Sequence, residues 1–233
     1  MTKGDLHIMK TNIIPSMKDT LFNPVSSNMG DSLVEIAELG LDSVIQDCML
    51  KDIPVLSIIA SLCKTGVNLC ERNLIRQTAI FISSFNAGTI PPDKLASYRN
   101  ELESNPKKAE KKLGRVILLL DRILERHQAK VLGHFYSSYI KGSLSWDKFV
   151  EVSEVNLRMF MSDYAELGTV FQTPVKQADE VSNRRMYRIQ RLESLGLVME
   201  NRYRMHSGTI LTYLDTDDRF VTTPLGSTFA SLM

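Results

Sequence analysis

The chain has 233 residues, of which 43% are hydrophobic and 24% are charged, close to an ordinary globular protein with a sizeable core. Its formal net charge of +1 excludes an overall field that would draw it to nucleic acid or to a membrane, so any basic patch must be local. The three cysteines, Cys48, Cys63 and Cys70, predict reduced thiols in a cytoplasmic protein and not a disulfide scaffold. The N-terminal sequence lacks the apolar core and cleavage site of a signal peptide.

The first part of the chain predicts an arm followed by a helix. Residues 1–30 contain Pro15, Pro24 and a Ser/Asn cluster, which favour an extended or mobile segment. Asp31 is suited to cap a helix that continues to about Met49. We therefore expect the helical domain to begin at residue 31.

The most apolar stretch, residues 53–85, raises the question of a membrane segment. A spanning helix needs about 20 apolar residues. The uncharged run from Ile53 lasts roughly half that length before Lys64 interrupts it. We expect buried core helices here, with Pro54 in a first turn and with Ile58, Leu62, Ile75 and Ile82 between helices. A membrane-active role for 53–85 is the third alternative.

Helical signals continue to residue 160. Pro91-Pro92 break the chain and Asp93 is placed to cap a helix, after which "ESNPKKAEKK" predicts a polar turn with a solvated charge run. From Leu113 a strong helical pattern, broken near 126–128, predicts a helix or helix pair that ends at Gly142. Ser145 is then suited to cap a helix whose apolar contacts include Phe160.

Recognisable chemistry is absent from the sequence. Calcium binding at Gly142 is excluded because Lys148 would occupy the closing glutamate position of the loop. His127 and His134 are seven residues apart, too far along a helix for joint metal ligation, and we expect His127 at the edge of the core. No zinc, nucleophile-elbow or phosphate-loop motif occurs. We assign no catalytic residue, metal or cofactor, and do not expect an enzyme.

The C-terminal third changes character. Residues 179–195 predict a helix that ends at Gly196, with Val181, Met186, Ile189, Leu192 and Leu195 as its buried stripe. Because this stripe faces inward, we expect most of the arginines of the helix to point outward. Strands follow, with a turn at residues 207–208, and Pro224 opens a last helix. This stretch therefore predicts a small α+β unit.

The segments "LESLGLV", the following hairpin and "TPLGSTF" resemble the winged-helix superfamily over residues 156–233. In that superfamily such a leucine–glycine pattern closes the recognition helix, and a tail like "TPLG" follows the wing. This sequence departs from the pattern because "GTVFQTPVKQ" shows no clear short second helix, although Pro174 could mark its start. The N-terminal part resembles helical proteins of uncharacterised bacterial families, which implies no activity.

The sequence thus predicts a mainly α protein: an arm (1–30), a multi-helix domain (31–155) and a small α+β winged-helix-like domain (156–233). We expect a non-enzymatic interaction or regulatory protein that uses the last domain for assembly with a protein partner or with itself. The alternative is a nucleic-acid-binding regulator. Membrane binding is not expected. The candidate binding residues for either partner are Asn183, Arg184, Arg185, Arg188, Arg191, Arg202 and Arg204.

Overall fold

The structure is a computed structural model of the chain, and it is mainly helical with a small antiparallel sheet. It divides into two compact units, Met1–Leu157 and Arg158–Met233. The division falls two residues after the boundary expected between 155 and 156. The residues that the structure describes are 13–23, 27–38, 53–61, 69–176, 181–201, 205–206, 209–210 and 218–233.

The first unit is built from helices. Their bounds are α1 (Ile14–Phe22), α2 (Ser27–Glu38), α3 (Pro54–Ser61), α4 (Leu69–Ala87), α5 (Pro92–Ser104), α6 (Pro106–Arg122), α7 (Arg126–Lys141) and α8 (Trp146–Asn156). Helix α4 lies at the centre of the unit, because it packs against α2, α3, α6 and α7.

The expectation of an extended or mobile arm over 1–30 is wrong for its second half. Residues 14–22 form α1, with Pro15 in the first turn, where its missing N–H is harmless. Met17 and Leu21 are buried in the core. The next helix starts at Ser27 and not at Asp31. Pro15 therefore marks the start of a helix and not part of an extended arm. The rest of the predicted arm, 1–12 and 24–26, lies outside the described residues.

The apolar stretch 53–85 contributes core helices. Ile75 and Ile82 are fully buried, as predicted, whereas Ile58 is only half-buried and Leu62 lies outside the described residues. Where the structure describes the chain, no helix is both long and apolar enough to cross a membrane. The predicted start of a helix at Pro54 is confirmed.

The polar turn predicted in "ESNPKKAEKK" is wrong, since α6 begins within it. The side chain of Asn105 accepts a hydrogen bond from the Lys108 amide at 3.0 Å and so caps the helix. Further along, Lys112 is buried, with its Nζ 2.5 Å from a Glu101 carboxylate oxygen and 4.9 Å from the Tyr139 ring centroid. The charge run is therefore partly interior.

The local signals around α7 and α8 are confirmed. Gly142 ends α7 with φ of +87°, the left-handed conformation that glycine adopts without steric cost. The Ser145 side chain caps α8 by accepting from the Lys148 amide at 3.2 Å. Between them, these two residues fix the α7–α8 turn beside a core centred on Tyr136.

The second unit combines helices and strands. Its elements are α9 (Met161–Gln172), β1 (Val175–Lys176), α10 (Asn183–Ser194), β2 (Val198–Glu200), β3 (Met205–His206), β4 (Thr209–Ile210), β5 (Asp218–Thr222) and α11 (Pro224–Ala230). Strands β1, β5 and β2 form an antiparallel sheet in that order, and β3 pairs with β4. Val175 and Glu200 both stand opposite Phe220. The predicted turn at 207–208 lies outside the described residues.

Close packing joins α11 to the end of α10. Gly196 ends α10 with φ of +74°, as the sequence predicts. Its carbonyl accepts from the Thr223 hydroxyl at 2.6 Å, and Thr223 also caps α11. A Cβ on Gly226 would lie 1.8 Å from the Leu197 carbonyl oxygen, so only glycine fits there. The "TPLG" segment thus fixes α11 against the start of β2.

Candidate interaction surface

The arginine-rich helix α10 is held by its inner face. Ile189 and Leu192 are fully buried, and α10 packs against α9 and β2. Ser182 caps the helix by accepting from the Arg185 amide at 3.4 Å. The predicted start at 179 is four residues early, because the cap lies at Ser182. The helix therefore presents its remaining side chains from a fixed position.

Arg191 is bound within the unit. Its Nε lies 3.0 and 2.9 Å from the two carboxylate oxygens of Asp163, a side chain with no exposed surface. The same carboxylate accepts from the Phe160 amide at 2.8 Å, which closes the first turn of α9. Hydrogen bonds to Asp163 raise the pKa of Arg191 above its usual value. This is a well-bonded ion pair whose carboxylate is fully buried and whose guanidinium is partly exposed.

Arg185 is paired in the same way with the next turn of α9. Its Nε donates to Glu166 at 2.9 Å, and the Glu166 side chain is only 7% exposed. The two pairs join α10 to α9 at positions three residues apart on α9 and six apart on α10. Both positive charges are therefore largely neutralised by carboxylates of the same unit.

The expectation that most of these arginines point outward is wrong. The inner face of α10 turns Arg185 and Arg191 toward the acidic side chains of α9, and Arg188 is half-buried. The Arg188 Nε is buried and has no hydrogen-bond acceptor in the described part of the chain. Asn183 and Arg184 are exposed. Arg202 and Arg204 lie outside the described residues.

Exposed aromatic rings flank Arg191. Its guanidinium carbon lies 4.7 Å from the ring centroid of Phe160 and 4.9 Å from that of Tyr187, within cation–π range. Phe160 is 62% exposed and Tyr187 is 54% exposed. Met161, the neighbour of Phe160 in the chain, is also half exposed. We call Phe160, Met161, Arg184, Tyr187 and Arg191 the arginine–aromatic surface.

The sequence did not reveal this surface. Phe160 was expected to pack against α8, but it precedes α9 and lies on the outside of the second unit. The four-residue spacing from Tyr187 to Arg191 places both on one side of a helix and could have indicated the stacking. The acidic partners could not be read from the sequence, because they lie 19 and 28 residues away along the chain.

Other chemistry-bearing residues stand apart from this surface. His127 and His134 are half-buried on α7, and burial lowers the pKa of each, with a further lowering from Lys130. Within the described ranges, no group of three His, Cys, Asp or Glu side chains is placed to hold a metal ion. The arginine–aromatic surface is therefore the candidate site that the described geometry supports best.

Comparison with known proteins found no matching family model, no matching curated protein and no matching solved structure.

Proposed function

We propose that the second unit is a winged-helix-like module that binds an acidic segment of a protein partner through the arginine–aromatic surface. One observation carries the proposal: Arg191 is neutralised by buried Asp163 yet lies between two exposed aromatic rings. Arginine and aromatic side chains are enriched in the energetically dominant centres of protein interfaces. We also propose a cytoplasmic location, because the three cysteines of the sequence favour reduced thiols over a disulfide scaffold.

The order of the elements supports the winged-helix-like assignment. Helix α9, strand β1, helix α10 and strand β2 are followed by the β3–β4 pair and then by β5. Strands β2 and β5, which flank that pair in the chain, are partners in the sheet, and β1 adds to the other side of β5. Residues 177–180 lie outside the described ranges, and the described residues between β1 and α10 hold no second helix.

The charges on α10 indicate an acidic partner. Arg185, Arg188 and Arg191 recur every three residues, but α9 supplies carboxylates only to the first and the last. Among the described residues no carboxylate pairs with Arg188, which lies between the two satisfied pairs, and exposed Arg184 lies one turn away. A partner carboxylate that reaches these two arginines would gain charge-assisted hydrogen bonds beside a partly apolar patch.

The same charges disfavour pairing of two copies through this surface. A twofold interface places the same patch of both copies face to face. Arg184 and Arg188 of one copy would then approach the same arginines of the other, with no described carboxylate on the surface to separate them. A different, acidic partner avoids this repulsion and is the occupant that we propose.

Nucleic acid is the second candidate. Exposed Arg184 and Arg188, which pairs with no carboxylate of the described residues, favour it, and bases stack on exposed aromatic rings such as those of Phe160 and Tyr187. Two of the four arginines of α10 are, however, already bound to Glu166 and Asp163, which weakens the local positive field. Phosphate contacts supply most of the affinity for nucleic acid, so protein is the better-supported partner.

Light scattering coupled to size exclusion separates these partners. We expect the chain alone to elute with the 26.3 kDa mass of one copy and not to co-elute with duplex DNA at physiological salt. The matched variants are Arg184→Ala with Arg188→Ala, and Arg99→Ala with Lys148→Ala on exposed positions of the first unit. A DNA complex that is lost only in the Arg184→Ala, Arg188→Ala variant would overturn the proposal in favour of nucleic acid. A dimer that is lost only in the same variant would overturn it in favour of self-association.

A further inference from the structure

An uncharged face lies along the outside of helix α9. Four exposed positions recur every three or four residues and so share one side of the helix, which we call the α9 stripe: Met161, Ala165, Thr169 and Gln172. The charged residues of α9, Asp163 and Glu166, are buried and paired with arginines of α10. A helix face in contact with water usually carries charged side chains, and the α9 stripe carries none. This composition is typical of a face that another element covers.

Helices α9 and α10 lie side by side in antiparallel directions. Asp163 pairs with Arg191, and Glu166, further along α9, pairs with Arg185, which comes earlier on α10. The opposite sides of both helices face the core of the second unit, where Leu167 of α9 is fully buried. The two helices therefore present their remaining faces to the same side of the unit.

The α9 stripe adjoins the exposed side of α10. Arg191 donates to the Ser162 hydroxyl at 3.4 Å, and Ser162 follows Met161 in the chain. On α10, Arg184 and Tyr187 precede Arg191 by seven and four residues, so all three lie along one side of the helix. The arginine–aromatic surface and the α9 stripe thus form one continuous surface.

The surface has the shape and charge of a groove for a third helix. Two packed helices leave a groove along their line of contact, into which another helix packs by the same ridge-and-groove rules. Helices α9 and α10 have 12 residues each, so the groove is about 18 Å long, or about three turns of a partner helix. One side of the groove is uncharged, and the other carries exposed Arg184.

An extended partner segment fits this surface less well. Both walls of the groove are helical, so their backbone groups are already bonded and offer no partners to the N–H and C=O groups of a strand. A helix satisfies these groups within itself, and an amphipathic helix in an apolar groove is a common mode of peptide recognition.

On the premise that the partner is an acidic protein, we propose that its bound segment is an amphipathic helix that lies along the groove between α9 and α10. Its apolar side chains pack on the α9 stripe and against Tyr187. Carboxylates along one edge of the helix bond Arg184. The stripe selects the apolar face of the partner, and the arginine selects the acidic edge.

Two synthetic peptides of about 18 residues test the conformation of the partner. In the first, leucines recur every three or four residues and glutamates flank them; the second has the same composition with leucine and glutamate alternating. Both carry the same charge, so only the first presents an apolar helical face. Fluorescence anisotropy of the labelled peptides, titrated with the full chain at physiological salt, gives the affinities. We expect the helical peptide to bind at least about tenfold more tightly.

A neutral substitution tests the α9 stripe. Ala165→Gln places an amide on the stripe without changing its charge, and an amide left without a partner under the peptide costs about 1–3 kcal/mol. The helical peptide should therefore lose at least about fivefold in affinity. Ala96→Gln on an exposed position of α5 is the matched control and should leave the affinity unchanged. Arg184→Glu should also weaken binding, and circular dichroism checks that each variant is folded.

The outcomes separate the helical segment from the acidic partner. Equal binding of both peptides that is weakened by Arg184→Glu but not by Ala165→Gln would contradict the helix and support the acidic partner. Binding of the helical peptide that depends on Ala165 but not on Arg184 would contradict the acidic partner. Saturable binding of neither peptide would overturn both.

Discussion

The ion pair between Arg191 and Asp163 is expected to lose more stability when Arg191 is replaced than when Asp163 is replaced. Asp163 has no exposed surface, whereas Arg191 keeps 21% of its side chain in solvent. Arg191→Gln therefore leaves an unpaired carboxylate that cannot reach water, and breaking a buried pair in this way costs about 3–5 kcal/mol. Asp163→Asn keeps an acceptor for the Phe160 amide and lets Arg191 turn outward, so we expect a smaller loss of about 1–3 kcal/mol.

Hydrogen exchange of the amides in α9 and α10 measures the loss in the free energy of unfolding of the second unit. A local measurement is needed because the chain has two units, which can unfold separately. The double variant is expected to cost less than the sum of the single variants, since the two residues share one interaction. Lys148→Gln, which breaks the exposed pair with Glu151, is the control and should change stability by about 1 kcal/mol or less. A loss below about 1 kcal/mol for Arg191→Gln would contradict the claim that Arg191 compensates the buried charge of Asp163.

Two further predictions concern packing and pH. Gly226→Ala places a Cβ 1.8 Å from the Leu197 carbonyl oxygen and should destabilise the second unit by about 3 kcal/mol. In Gly114→Ala the new Cβ meets only Ile14, at 3.8 Å, and the substitution should stabilise α6 by about 0.5–1 kcal/mol. Thermal unfolding followed by circular dichroism measures both changes, and equal changes in stability would contradict the close packing at Gly226. His127 and His134 have pKa values lowered by burial, so the unfolded chain binds protons first and the free energy of unfolding should fall as pH drops below about 6.5. Urea unfolding of His127→Gln with His134→Gln should show a flatter pH dependence there, and an unchanged slope would exclude the two imidazoles as its source.

Signals that act within a few residues were read correctly from the sequence. Gly142 and Gly196 adopt the left-handed conformation that ends a helix, and Ser145 caps the helix that follows. Pro224 opens the last helix, as its fixed φ favours. These residues determine local geometry by their own chemistry, so the helical pattern could be predicted without knowledge of the packing.

Features that depend on distant residues were missed. Pro15 was interpreted as part of an arm, but apolar burial of Met17 and Leu21 makes its segment helical. Lys112 was assigned to a solvated run, although Glu101 and aromatic rings of α5 and α7 enclose it. The arginines of α10 were expected to face solvent, because a helical pattern cannot show that α9 carries Asp163 and Glu166 opposite them.

Identification of the partner by photo-crosslinking tests most directly whether the arginine–aromatic surface binds an acidic protein. A photo-crosslinking amino acid is placed at Tyr187 in the full chain, made in cells that naturally contain it, with the same substitution at exposed Leu124 of the first unit as the control. We predict a crosslink from position 187 to a protein whose contacted segment is acidic, absent from position 124 and reduced by Arg184→Glu. Crosslinks to nucleic acid, to a second copy of this chain, or equally from both positions would contradict the proposal that the arginine–aromatic surface binds an acidic protein.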